Sequence, residues 1–452
     1  MNKYNSIILA AGQGKRMNSN IPKVLHKVFD KTLIECVLDA LTCELIKNKI
    51  VIVGVGKEKV IDSLKDRDIL FAEQNEQLGT GHAVKCAKQY IKDDENYLII
   101  NGDMPLISNN TIIELLDYFE HGNFGACVVT TVLENPTGYG RIILQENGLF
   151  NKIVEQKDAS DLEKQIKEVN LGVYLFKGNL LKEALNKLTN NNKQGEYYLT
   201  DTLEIIQNLN ENVGVFYIKD NLEAVNVNSR QELAKTTKIY LDKIIEKHMQ
   251  NGVTFINKDT TCIGADVTIG KDTIIYPGCI LEGKTTIGSD CTIGPNSHIV
   301  NSKISNNTTV ENSKVVDSTI CDNCNIGPFA HIRPNNLIGN NSKVGAYVEL
   351  KNSTFGEGTK ASHLLYVGDS EIGNNVEFGC GVMTVNCDIN FKKHKTIIED
   401  NAFIGCNSAL IAPIKIEENA IIAAGSTITN NVSKNSLAIA RQKQINKENY
   451  NK

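Results

Sequence analysis

A large aliphatic residue returns at every sixth position through residues 263–428 of this chain, with few interruptions. One file reads Ile263, Ile269, Ile275, Leu281, Ile287, Ile293, Ile299; a second Ile320, Ile326, Ile332, Ile338, Val344, Leu350; a third Ile398, Ile404, Leu410, Ile416, Ile422, Ile428. No α-helix has that period, and sandwich strands vary in length and alternate with period two. Glycine often follows the file residue, as at Gly264, Gly270, Gly288, Gly339, Gly379 and Gly405, which is expected if the backbone must take positive φ at each corner. The pattern predicts a solenoid of short strands. Each strand turns one aliphatic side chain inward, and stacked coils bury what no single coil could bury alone. The files slip at Ile304, Val310, Val315 and Phe355 and break between Thr384 and Ile398, where a loop should leave the coils.

With 452 residues, 41% hydrophobic and 22% charged, the chain can form two or three domains. A formal net charge of −5 gives no general attraction to nucleic acid or anionic membranes, so any partner must be argued from a site. Met1-Asn2-Lys3-Tyr4-Asn5 leads straight into an apolar strand without a signal-peptide layout, and no apolar run approaches membrane-spanning length; a cytoplasmic protein is expected. The twelve cysteines show no secretory framework. Cys321 and Cys324 form a CxxC without a second pair at zinc spacing, and read as structural.

Residues 6–9 form an apolar strand that runs into Ala10-Ala11-Gly12-Gln13-Gly14-Lys15-Arg16-Met17 and then Pro22-Lys23-Val24-Leu25-His26. A glycine-containing loop after a strand lets backbone N–H groups approach phosphate oxygens, and basic side chains just beyond can neutralise them. The loop is neither the Walker pattern nor the Rossmann GxGxxG. Strands and helices then alternate: a helix over 33–45, a strand over 50–55, a helix over 57–64, a strand near 69–72 and a helix from about Ala83. That order predicts a mostly parallel sheet with ligands beyond the strands' carboxyl ends. Gln74 and Gln77-Leu78-Gly79-Thr80-Gly81-His82 follow one strand; Gly102-Asp103 follows the strand 97–101, where a carboxylate can meet a nucleotide-bound magnesium. Residues 230–250 read as one helix with an apolar stripe of Leu233, Ile239, Tyr240, Ile244 and Ile245.

These motifs, in this order, resemble the sugar-phosphate nucleotidylyltransferases, and within them the bacterial bifunctional N-acetylglucosamine-1-phosphate uridylyltransferases/glucosamine-1-phosphate acetyltransferases; the likeness covers essentially the whole chain. The resemblance implies a Rossmann-like α/β uridylyltransferase domain over 1–228, a linker helix over 229–250 and a left-handed parallel β-helix acetyltransferase domain of hexapeptide repeats over 251–452, assembled as a homotrimer. It implies that Leu9, Ala10, Ala11, Gly12, Arg16 and Lys23 hold the UTP phosphates, that Gln74, Gly79 and Thr80 hold uracil and ribose, and that Asp103 and Asn228 bind Mg2+. Gly140, Glu155 and Asn170 then hold the amino sugar, and the segment 195–201 is a structural hallmark.

In the repeats, Arg333, Lys351, Tyr366 and Glu377 fall where the family binds the acceptor sugar phosphate. His363 falls where it has the general base for acetyl transfer, a task that suits imidazole because its ordinary pKa, about 6.5, leaves it mostly neutral near pH 7. Cys380, Asn386, Cys387, Cys406, Ala424 and Arg441 fall at acetyl-CoA positions. The family usually has Thr at Lys15, Gly at Asn226, Asn at Glu377, Tyr at Cys387 and Gly at Ile389. The implied substrates are UTP, N-acetylglucosamine 1-phosphate, glucosamine 1-phosphate and acetyl-CoA. Two other readings remain open: a uridylyltransferase whose β-helix is only a trimerisation scaffold, and a non-catalytic regulatory subunit. The latter has no reason to keep Arg16, Lys23, Asp103 and Asn228 together.

Overall fold

In the computed structural model, which describes residues 4–448 and 450, contacts divide the chain into two units, Met1–Tyr240 and Leu241–Lys452. Met1, Asn2 and Lys3 of the expected lead-in lie outside the described residues. In the first unit β1 (Tyr4–Ala10), α1 (Leu33–Ala40), β2 (Ile46–Val53), α2 (Lys57–Ser63), β3 (Leu70–Glu73), α3 (Thr80–Cys86), β4 (Asn96–Asn101) and α4 (Asn109–His121) alternate as the sequence predicts. Then follow β5 (Ala126–Val132), β6 (Arg141–Leu144), β7 (Phe150–Val154), β8 (Glu168–Lys177), α5 (Gly178–Lys187), α6 (Asp201–Gln207), β9 (Val213–Tyr217) and α7 (Arg230–Gln250). The main path of the sheet is β9-β5-β8-β4-β1-β2-β3, with β6 beside β8 and β7 beside β6. On that path β8 alone runs against its neighbours; the remaining pairings are parallel. Apolar clusters cover both faces of this sheet.

The helix expected over 33–45 stops at Ala40. Its start is fixed by a capping box, in which Thr32 Oγ1 accepts from Glu35 N and Glu35 Oε2 accepts from Thr32 N. Its end is set by tertiary pairing, because Tyr4 N donates to Leu45 O at 2.9 Å and draws the following residues into the sheet. The helix expected near Ala83 begins earlier, at Thr80, after Gly79 with φ 107°.

In the second unit the six-residue files become columns. Ile263 pairs in parallel with Leu281, and the column continues through Ile299, Val315, Ile332, Leu350 and Val367. A second column runs from Ile275 through Ile293, Val310 and Ile326, and a third from Ile269 through Ile287, Ile304 and Ile320. Three strands per coil thus face one continuous buried core, a parallel β-helix. Where the files slip a corner is shortened, yet Ile304, Val310, Val315 and Phe355 remain buried. Each buried aliphatic side chain stabilises by about 1.5–3 kcal/mol. Buried hydroxyls satisfy corner backbone: Thr273 Oγ1 donates to Gly288 O at 2.8 Å and accepts from Cys291 N at 3.1 Å. Cys324 packs the same way, with Sγ 3.1 Å from Gly339 O, and the CxxC cysteines are free thiols.

The glycine expectation was right in position, but its cause holds only at a minority such as Gly294 and Gly327, with φ of 105° and 101°. Positive φ at the corners falls mainly on Asn and Asp, such as Asn307, Asn341 and Asn407, whose short polar side chains tolerate the left-handed region. Most glycines after a file residue have ordinary φ and are needed because the next coil lies too close for a side chain. A Cβ on Gly270 would sit 2.6 Å from the carbonyl carbon of Gly288.

The break after Thr384 is a loop, as expected. Ser370 pairs with Thr396, and the surplus chain between them leaves the coil as a turn in which Cys387 bridges Lys393 and Ile389 and Phe391 stand exposed. Asp388 Oδ2 lies 2.9 Å from His394 Nε2 and closes its base.

The helix α7 is continuous over the expected span, and the division between units falls within it. Leu233 and Tyr240 pack on Val28, Leu33, Cys36 and Val227 in the first unit, while Ile244 and Ile245 join the coil core of the second. A Gly270→Ala substitution should destabilise the second unit by about 1–3 kcal/mol through overpacking. Urea unfolding of that unit checks it; an unchanged midpoint would mean the coils can part to admit a methyl group.

Candidate active sites

β1, β2, β3 and β4 deliver their carboxyl ends to one rim of the sheet, and a cavity of about 670 Å³ opens there. Leu9, Ala10, Ala11, Gly12 and Arg16 line it from the end of β1 and the loop after it. Gly14, at φ 59°, lies so near Lys23 that a Cβ would come within 2.7 Å of the Lys23 Cβ, folding the loop over that lysine. Lys23 Nζ forms an ion pair with Asp103 and donates to Asn228 Oδ1 at 3.1 Å. The ammonium therefore sits between the two residues expected to hold a divalent cation. Asp103 is 6% exposed, and its Oδ1 is buried without a hydrogen-bond partner. A vacant carboxylate oxygen beside an amide oxygen suits a cation that takes one or two protein ligands and fills its remaining positions with phosphate and water.

Gln74, buried after β3, has Nε2 3.1 Å from Gly79 O and 3.2 Å from His82 Nδ1. The amide donor of Gln74, implied to hold uracil, is thus engaged inside the protein, leaving Oε1 for a ligand. The segment Gln77–His82 is clamped by the hallmark segment 195–201: Tyr197 N donates to Leu78 O, Gly81 N to Tyr197 O and Leu199 N to Thr80 Oγ1. That segment clamps the loop, as the resemblance implied, and two of its residues, Glu196 and Thr200, also face the cavities.

A second, smaller cavity of about 180 Å³ adjoins, lined by Gly140, Glu155, Asn170 and Thr200. Asn170 Nδ2 donates to the Tyr174 hydroxyl at 2.7 Å, its Oδ1 accepts from Gly172 N at 3.0 Å, and its backbone N–H donates to Gly140 O at 2.9 Å. Burial pushes the Glu155 carboxyl up, a shift that the Thr200 hydroxyl donating at 3.3 Å opposes. The loop between the cavities is held from below by Arg141, to which the sequence reading gave no role. Its guanidinium is buried, donates to Tyr139 O and, at 2.8 Å, to Gln156 Oε1, and has its pKa lowered by desolvation. Gln156 Oε1 also accepts from Gly138 N.

In the second unit the strand Lys343–Lys351 pairs along its length with the strand Lys360–Gly368, setting Ala346 beside His363 and Glu349 beside Tyr366. Arg333 and Lys351 occupy matching positions on adjacent coils, each following a paired file residue. Arg333 Nη1 is tied to Glu349 Oε1 at 2.8 Å, a carboxylate the sequence reading missed. Tyr366 lies over Gly368, whose Cβ would come within 2.3 Å of the phenol oxygen. Glu377 is exposed, in register with Lys360 and Phe403.

His363 is exposed, and the next coils put Cys380, Cys406 and Ala424 at its matching positions, each two residues beyond the paired Ala361, Phe378, Ile404 and Ile422. Arg441 comes alongside at the end of this row, its Cδ 3.7 Å from where a Gly425 Cβ would lie. Asn386 does not join the row: it is buried, donates to Asp369 and lies 3.5 Å from the Tyr366 hydroxyl, so it stands with the acceptor residues. Cys387 is half-buried at the base of the turn.

Residues 6–170 match the MobA-like NTP transferase domain, and residues 266–301, 317–352 and 395–430 match the bacterial transferase hexapeptide (six repeats). A Clostridium botulinum protein (strain 657 / Type Ba4) described as "Bifunctional protein GlmU" is 49% identical over 449 residues, covering 99% of this chain and 98% of the relative. The chain belongs to the GlmU family. The GlmU of Clostridioides difficile (strain 630) is likewise 49% identical, over 99% of this chain and 97% of its own, and that of Clostridium kluyveri (strain ATCC 8527 / DSM 555 / NBRC 12016 / NCIMB 10680 / K1) is 48% identical, over 99% and 98%. This GlmU-family chain therefore carries a nucleotidyltransferase unit followed by a left-handed parallel β-helix of hexapeptide repeats. Among the described residues no helix is long and apolar enough to cross a membrane.

One carboxyl near the sugar cavity has a consequence for stability. Burial pushes Asp201, at the start of α6, up to about 6, with Glu204 and Asp158 adding repulsion. An acid whose folded pKa exceeds its unfolded value binds more protons when folded, so stability falls as pH rises from about 4 through about 6. Urea midpoints should therefore drop across that window for the wild type and drop less for Asp201→Asn. Equal pH slopes would remove Asp201 from the account.

Proposed function

We propose that this chain makes UDP-N-acetylglucosamine in two steps: acetyl-CoA-dependent N-acetylation of glucosamine 1-phosphate on the β-helix, then uridylyl transfer from UTP to N-acetylglucosamine 1-phosphate in the first unit. The observation that carries the second step is the Lys23 ammonium bonded to both Asp103 and Asn228 beneath the loop of residues 10–16, with Asp103 Oδ1 unpartnered. A phosphate oxygen of the sugar phosphate attacks the α-phosphorus of UTP in line, and pyrophosphate leaves. No covalent nucleophile is needed, so the protein positions reactants and neutralises charge. The backbone of residues 10–12 cradles phosphate oxygens, and Arg16, which makes no hydrogen bond or ion pair among the described residues, is available to them. Lys23 exchanges its contact with Asp103 for the nucleotide phosphates. Mg2+, held by Asp103 and Asn228, would supply further neutralisation of the phosphate charge. Gln74, Gly79 and Thr80 orient uracil and ribose; Gly140, Glu155 and Asn170 hold the amino sugar.

On the β-helix, His363 takes the proton from the amine of glucosamine 1-phosphate as that amine attacks the acetyl thioester, and free CoA thiol leaves. Arg333, Lys351 and Tyr366 hold the sugar phosphate, with Glu377 beside it. Acetyl-CoA lies along the row of Cys380, Cys406 and Ala424, with a phosphate on Arg441 and Asn386 and Cys387 at the near end. The oligomer is a homotrimer, with the domains divided at 228 and 250, and the protein works in the cytoplasm on small molecules without nucleic acid or membrane.

A second reading, uridylyl transfer alone with the β-helix as scaffold, is favoured by the Glu349 carboxylate on Arg333, by the exposed carboxylate of Glu377 where the family usually has Asn, and by the half-buried thiol of Cys387. Thiol release from acetyl-CoA with glucosamine 1-phosphate, in the absence of UTP, separates the two. Release that His363→Ala abolishes, with uridylyl transfer near normal, supports both activities; no release from the wild type leaves the scaffold reading. Lys23→Ala should lower uridylyl transfer by about 10²-fold or more, on the scale of losing a single charge-stabilising donor. A loss of only a few-fold would take Lys23 out of the reaction.

A further inference from the structure

Asn226 stands at the joint of the two cavities of the first unit. It lines the nucleotide cavity with Arg16, Lys23 and Asp103, and it lines the sugar cavity with Gly140, Glu155 and Asn170, whereas Asp103 and Asn228 line only the first. Its Oδ1 is buried and has no hydrogen-bond partner. The backbone of the segment is held in place. Asn228 Nδ2 lies 3.5 Å from the Asn226 backbone carbonyl oxygen, and the neighbouring Val227 N donates to Asp103 O at 3.0 Å. A side-chain carbonyl oxygen that has been taken from water and given no donor loses free energy unless a ligand supplies one.

We propose that Asn226 is a specificity-determining residue for the acceptor, its Oδ1 accepting a hydrogen bond from a hydroxyl or amide N–H of the N-acetylhexosamine 1-phosphate. This rests on the uridylyl-transfer reading above. The chemistry of the atom restricts the ligand group: a carbonyl oxygen accepts and does not pair with an ionised phosphate oxygen, so the contact is to a hydroxyl or N–H, and its place in the sugar cavity favours the amino sugar over the nucleotide. The position restricts it further. The other polar side chains shared by both cavities are Thr80, Asn101 and Tyr139; Thr80 Oγ1 already accepts from Leu199 N, and of the four only Asn226 has a buried side-chain oxygen without a partner. A metal contact is disfavoured because the two residues suited to the cation face only the nucleotide side.

The test compares two probes on the full-length protein by calorimetric titration. UDP fills only the nucleotide cavity; UDP-N-acetylglucosamine fills both. In Asn226→Ala, UDP-N-acetylglucosamine should bind about ten-fold more weakly, the size of one lost hydrogen bond, while UDP binds as in the wild type. In the forward reaction the KM for N-acetylglucosamine 1-phosphate should rise by a similar factor, with the KM for UTP and the magnesium requirement unchanged. Asn226→Ser, which keeps a shorter acceptor, should recover part of the loss, and it serves in place of the alanine variant if thermal melting shows that variant to be unfolded. Equal loss for both probes, or an altered magnesium requirement, would assign Asn226 to the nucleotide or its metal and overturn the proposal. So would unchanged binding of UDP-N-acetylglucosamine. A wild type that binds UDP but shows no preference for the sugar-bearing probe would instead overturn the uridylyl-transfer reading on which the proposal stands.

Discussion

Parallel pairing of each coil on the next is the constraint from which the second unit follows. Neighbouring strands stand about 4.8 Å apart, so whatever occupies one position of a coil is covered by the matching position above and below. That requires an aliphatic residue at each inward position, a hydroxyl or thiol where a corner buries backbone, and glycine where a side chain would strike the next coil, as at Gly270. The same pairing arranges chemistry. His363, Cys380, Cys406 and Ala424 are far apart in sequence, and they form a row because register leaves them no alternative.

The first unit obtains its precision differently. Parallel strands bring several carboxyl ends to one rim, and the loops there are fixed by contacts made outside the strands. Tyr197 and Leu199 hold the segment after Gln74; Arg141 and Gln156 hold the loop between the cavities; Lys23 holds Asp103 and Asn228. Most of these clamps come from a distant part of the chain, and each engages a backbone group or a charge that would otherwise be left unsatisfied.

This difference explains what could be read in the sequence. The β-helix was legible because its rule is local and repeats: Ile263 and Ile422 obey it for the same reason. The strand-and-loop order of the first unit was legible too, down to the residues that line its cavities. What escaped the sequence were pairings that depend on where distant segments meet. The end of α1 at Ala40 is decided by Tyr4, the spent donor of Gln74 by Gly79 and His82, and the charge balance at Arg333 by Glu349 on the next coil. The corner glycines taught a finer point, since two mechanisms, positive φ and close approach, ask for the same residue, and only the backbone angles tell them apart.

The row on the β-helix is also a graduated scale. Any elongated ligand lying along it meets side chains at intervals of one coil, about 4.8 Å, from His363 to Ala424 and on to Arg441. The reach between a reacting end and an anchored end is therefore quantised: gaining or losing one whole coil between them would lengthen or shorten that reach by a single fixed step while leaving every core contact of the same kind. A scaffold of this sort can be refitted to donors of different length by counting repeats, without redesigning either end.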